Sequence, residues 1–95
     1  MADWVHAQTD AAQQLAQLSF FSIQKQTARG PVEFQITLKE YATRNEHGMR
    51  FFAITDKQTN QKNAPFNPCG WGETSLHALR ECIKALERFP YEGED

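Results

Sequence analysis

Apolar residues recur along this chain in two rhythms, and the changes of rhythm mark the elements. Between Asp3 and Leu18, the residues Trp4, Ala11, Leu15 and Leu18 stand seven, four and three positions apart, with Val5, Ala12 and Ala16 beside them. That spacing gathers them on one helical face. Gln8, Gln13, Gln14 and Gln17 take the opposite side, and either Asp3 or Thr9 can cap the first turn. A helix is therefore predicted over 3–18, or over 10–18 with Thr9 as the cap. Trp4 belongs to the core in the first case and to a tail in the second.

Downstream the period shortens to two. Phe20 to Gln26 is a short β-compatible run ended by Ala28-Arg29-Gly30-Pro31, giving a first strand over 20–26. Val32, Phe34, Ile36 and Leu38 then alternate with Glu33, Gln35, Thr37 and Lys39, the pattern of a strand with one buried and one wet face. This second strand covers 32–41, its alternation breaking at Glu40-Tyr41. Arg44-Asn45-Glu46-His47-Gly48 reads as a hairpin loop, and a third strand returns over 49–56. Adjacent Phe51 and Phe52 must point to opposite faces of it.

The stretch 57–72 is polar and turn-rich, too long for a simple connector, and carries Phe66 and Trp71 with room for a short further strand. Leu76, Leu79, Ile83 and Leu86 then form a three-four-three stripe, widened by Cys82 and Phe89. They predict a helix over 75–88, with Thr74 as N-cap and Pro90 as stop. The acidic tail 91–95 is expected to be loose. Together these elements predict one small α+β domain over 1–95 in the order α-β-β-β-α. Its three-stranded, mostly antiparallel sheet has two helices packed on one face. The expected core is Leu15, Leu18, Phe34, Ile36, Leu38, Ile54, Leu76, Leu79, Ile83 and Leu86.

Composition narrows the function classes. With 95 residues, the chain suits a single core. No apolar run approaches the length of a membrane span, and the polar start lacks the features of a secretory signal, so the expected location is cytoplasmic. Two cysteines do not make a disulfide scaffold, and free thiols are expected. Ten Lys+Arg against twelve Asp+Glu give a net charge of -2, which supplies no general attraction to nucleic acid.

Candidate chemistry is sparse. His6, His47, His77, Cys69 and Cys82 lack the close spacing with which neighbours share a metal ion, so no metal site is assigned. Cys69 with His77 as base is the sharpest nucleophile pairing, but the cysteine precedes Thr74 by five positions and no orienting acid is identifiable. Gly70-Trp71-Gly72 before a helix suggests an anion cradle, yet Glu73 at the helix mouth repels phosphate. The reading is a noncatalytic module without a cofactor.

Partner contacts are better represented. Tyr41, Phe66, Trp71 and one of Phe51 or Phe52, with Phe52 preferred, are candidates for exposure on the second sheet face and the long loop, where contiguous aromatics mark a protein-binding surface. A homodimer through a sheet edge is a second candidate contact. On the last helix, Arg80, Lys84 and Arg88 recur every four residues, with His77 three before Arg80. This basic ridge is either a solvated face laced with Glu81 and Glu87 or a contact for an anionic partner, including nucleic acid.

Two families resemble parts of this pattern. The order helix, three strands, helix is similar to the double-stranded-RNA-binding domain. Pro65-Phe-Asn-Pro68-Cys69-Gly-Trp-Gly72-Glu73-Thr74, running into Leu76-His-Ala-Leu79 and Ala85-Leu-Glu87, resembles the N-terminal domain of HicB-type antitoxins. The second resemblance spans about Val32 to Phe89 and implies a small bacterial partner-binding domain, usually dimeric, that masks a toxic ribonuclease. The functional expectation is thus a protein-interaction module, possessing antitoxin-like masking of a small partner in its most specific form. The alternative is a nucleic-acid-binding domain using the basic ridge.

Overall fold

The computed structural model describes residues 3–10, 12–27, 30–59 and 64–91. Strand β1 (Ala16–Thr27) pairs antiparallel with β2 (Gly30–Tyr41) over their whole lengths, Ala16 opposite Tyr41 and Thr27 opposite Gly30. Strand β3 (Phe51–Thr55) adds to β2, and β4 (Cys69–Gly72) adds to β3, each antiparallel. The sheet order is β1-β2-β3-β4, a four-stranded meander followed by helix α1 (Ser75–Arg88). The expected turn at 28–29, the loop at 60–63 and the tail beyond Tyr91 lie outside the described residues.

This architecture corrects the expected one: the sheet has four strands rather than three, and one α-helix replaces two. In place of a helix over 3–18 or 10–18 stand a 3-10 turn (Asp3–Ala7) and the start of β1. The local reason is visible at Asp10. Its side chain accepts the Ala12 N–H at 2.9 Å and its carbonyl accepts the Gln13 N–H at 3.0 Å, closing a turn where the helix had to continue. Beyond it, the Leu15 carbonyl accepts from Ala42, so the chain is already committed to β2. Helix propensity is a weak prior, and a twelve-residue ladder with β2 outweighs it.

The second added element, β4, lies in the stretch expected to be a loop. Its composition, Cys-Gly-Trp-Gly, disfavours a strand by propensity. Helix packing explains it. A Cβ on Gly70 would sit 2.6 Å from the Cys82 backbone nitrogen, and one on Gly72 would sit 2.6 Å from the Ala78 nitrogen. Only glycine lets α1 lie this close to the strand.

α1 covers β3, β4 and the rim of β2, and meets β1 only near Ile23, which packs against the core, and Lys25, whose ammonium donates to the Leu86 and Phe89 carbonyls. The core is Phe34, Ile36, Leu38, Ala53, Ala78, Cys82 and Leu86, with Leu79 and Ile83 packed against it. Two expected core residues are instead on the surface, Leu18 at 50% and Leu76 at 63% exposure. Leu18 is on the sheet face away from α1, and Leu76 is on the outer flank of α1 with His77, Arg80 and Lys84, turned away from the buried Ala78, Cys82 and Leu86. Leu15 and Ile54 are only partly buried. The expected helix over 75–88 is observed, and the Thr74 hydroxyl accepts the His77 N–H at 3.1 Å as its cap.

Candidate functional site: the open sheet face

Alternation along each strand sorts side chains between the helix-covered face and the open one. Pairing of Leu38 with Ala53 and of Ala53 with Gly70 places these residues under α1. The intervening residues therefore face outward: Lys39 and Tyr41 on β2, Phe52 and Ile54 on β3, Cys69 and Trp71 on β4. On β1 the same parity turns Leu18 and Phe20 outward, beside Lys39 and Thr37.

Three of the four expected partner-binding residues come together on this face. The Trp71 ring lies 4.7 Å from Phe52 and 5.8 Å from Tyr41, centroid to centroid, and is nearly parallel to the tyrosine. Such offset contacts hold aromatic rings in fixed orientations. Trp71 remains 38% exposed. A hollow of about 250 Å³ adjoins Tyr41 and Trp71, lined also by Gln14, Arg44, Asn45 and Met49.

Phe66 takes a different position. Thr59 and Phe66 form an isolated bridge, and the Phe66 ring packs edge-on against Phe89 at 4.8 Å, by the C-terminal end of α1. It is not part of the aromatic row. Conversely, Leu18 and Phe20 extend the row toward β1, Leu18 in place of the core position its spacing predicts and Phe20 as an addition to the expected binding residues; Phe20 is 60% exposed. Their signal is the adjacent pair Phe20-Phe21, which on the expected first strand must point to opposite faces, so that one ring faces away from the core.

The basic ridge is partly neutralised by its own helix. Glu81 lies 3.9 Å from His77 and 3.3 Å from Lys84. Among the described residues, Arg80 and Arg88 make no ion pair.

The two thiols differ. Cys82 is fully buried, its Sγ 3.5 Å from the Pro68 carbonyl, and burial, with a smaller contribution from nearby Cys69, pushes its pKa up to about 11. Cys69 is exposed. Among the described residues no hydrogen bond joins Cys69 to His77, and no three His, Cys, Asp or Glu side chains converge as metal ligands. No described helix is long and apolar enough to cross a membrane.

These features define a class: an antiparallel four-stranded meander backed by one C-terminal helix, with an aromatic row on its uncovered face. Comparison of the chain with family models, curated proteins and solved structures found no match in any of the three.

Proposed function

We propose that the chain is a noncatalytic interaction module whose open sheet face docks a protein presenting apolar side chains beside carboxylates. The observation that carries this reading is the continuous contact of Tyr41, Trp71 and Phe52, with Leu18 and Phe20 exposed on the same face. Trp and Tyr are the residues most often responsible for binding energy at protein interfaces, because large rigid rings bury area at little entropic cost. Lys39 and Arg44 supply positive charge beside the row, which favours carboxylates on the partner. In its most specific form, suggested by the resemblance to HicB-type antitoxins, the module masks a small toxic ribonuclease. The cytoplasm suits this role, since both cysteines are free.

Nucleic-acid binding through the helix ridge has less support, because Glu81 already engages His77 and Lys84. The test is retention of a co-purifying protein, its identification, and titration of the two purified components. Trp71→Ala is expected to weaken the complex at least tenfold, about 1.4 kcal/mol. Equal affinity for wild type and Trp71→Ala rules the aromatic row out. Salt-sensitive binding of single-stranded oligonucleotides, lost in Trp71→Ala, assigns the face to nucleic acid instead.

A further inference from the structure

We infer that β1 is the edge through which two copies of this chain pair, antiparallel and centred on Phe20, into one continuous eight-stranded sheet. This inference is independent of what docks on the aromatic row.

The backbone is the first argument. The Ala42 N–H donates to the Leu15 carbonyl at 2.8 Å, and the Tyr41 N–H to the Arg50 carbonyl at 2.8 Å. Hydrogen-bonded and non-hydrogen-bonded pairs alternate along an antiparallel ladder, so odd-numbered β1 residues bond to β2. Ala16, Leu18, Phe20, Ser22 and Gln24 therefore direct their N–H and C=O groups away from the sheet. β1 is the outermost strand in the sheet order, and the ladder with β2 runs its full twelve residues.

The second argument is what this edge lacks. Edge strands that stay single are blunted by charge, proline or a bulge. From Ala16 to Gln24 there is no charged residue and no proline, and the register with β2 is unbroken. A two-fold axis at one residue sets it against its own copy and sets the residues on either side of it against each other, so an uncharged segment pairs there without like-charge repulsion. Centring on Phe20 uses the whole uncharged stretch: Phe20 opposes Phe20, Leu18 opposes Ser22, and Ala16 opposes Gln24. Lys25 falls just outside, where its ammonium is already held by the Leu86 and Phe89 carbonyls at the end of α1.

The third argument is incomplete cover. α1 sits over β3 and β4 and reaches β1 only at its C-terminal half, where Ile23 packs against the core and Lys25 meets the end of the helix. The segment around the axis has no such cover: Leu18 and Phe20 are open on one side, and Phe21, 42% exposed, on the other. Phe21 floors a hollow with Gln17, Leu38, Phe51 and Ser75 between β1 and the start of α1. The radius of gyration is 15.1 Å, against about 12 Å for a compact domain of this length. Antiparallel edge pairing leaves both helices on the same side of the joined sheet, and the two Phe21 hollows merge into a cleft between them. On the reverse face, Leu18 and Phe20 of both copies bridge the two aromatic rows.

Sedimentation velocity across a concentration series, with amide hydrogen exchange, tests the pairing. Wild type is expected to approach twice the chain mass, with the Leu18, Phe20 and Ser22 amides protected at high concentration and open on dilution. Phe20→Lys, which sets two lysines face to face on the axis, is expected to give a monomer with unchanged circular dichroism. Ser22→Pro, which removes an outward N–H and leaves the β2 ladder intact, is expected to weaken pairing independently. Trp71→Ala is expected to leave the dimer intact, which separates this inference from the docking proposal. A wild type that stays monomeric at its highest soluble concentration overturns the inference. So does a dimer that survives both edge variants, or one in which those three amides exchange freely.

Discussion

Gly70 passes beneath Cys82 so closely that a Cβ on the glycine would lie 2.6 Å from the cysteine's backbone nitrogen and equally close to the Glu81 Cβ. That contact seats α1 on the sheet. It also gives the Gly70-Trp71-Gly72 run its meaning: the glycines face the helix while Trp71 faces the other way. Gly70→Ala must lift the helix or bend the strand, an overpacking change that typically costs about 1–3 kcal/mol. Urea denaturation should show that loss. Gly48→Ala is the comparison, since its φ of +78° strains any side chain but nothing lies within 4 Å; its cost is expected near 1–2 kcal/mol, from backbone strain alone.

Two leucines of the same helical stripe should respond in opposite ways. Leu86 is 1% exposed and Leu76 is 63% exposed. Leu86→Ala empties core volume and is expected to lose about 2–5 kcal/mol, whereas Leu76→Ala should stay within about 0.5 kcal/mol of wild type. Equal losses in thermal unfolding would mean that α1 packs on a different face.

The start of α1 depends on one hydroxyl. Thr74→Ala removes the acceptor for the His77 N–H and should cost about 1 kcal/mol, with Thr74→Ser or Thr74→Asp restoring most of it. The midpoint of denaturant unfolding reads this directly.

The buried thiol makes stability depend on alkaline pH. In the unfolded chain Cys82 releases its proton near 9.0, but in the folded protein only near 11. Between those values the folded state holds more protons than the unfolded one, so stability is full below about pH 9 and falls as pH rises toward 11. The loss from this group is on the order of 2 kcal/mol. Cys82→Ala should flatten that part of the profile while lowering stability at neutral pH. A companion thiol titration is expected to find Cys69 reactive in the native protein and Cys82 reactive only after unfolding.

Legibility in the sequence followed the range of the interactions involved. β2 was readable because four apolar residues alternate with four polar ones, and α1 because its stripe, cap and terminating proline all agree. The aromatic row was half readable. Tyr41, Phe52 and Trp71 could be singled out as large apolar groups with no place in the expected core, but their contact with one another arises from strand register. Phe66 looked equivalent in the sequence and was drawn to Phe89 by the Thr59 bridge.

Local pattern by itself determined which residues share a face wherever the period was clean, where α1 begins, and that Cys82 lies among apolar neighbours. Tertiary structure alone decided that the segment after Asp10 becomes a strand, that Cys-Gly-Trp-Gly joins the sheet, and that Leu18 and Leu76 stay on the surface. The physical reason is the same in each case. A helical spacing of leucines and alanines is also compatible with an extended ladder, and a glycine strand has no side-chain signal of its own. The choice falls to partners distant in sequence: β2 for the first, the underside of α1 for the second, and for the third the limited reach of a single helix over four strands at Leu18 and the face that α1 turns to the sheet at Leu76.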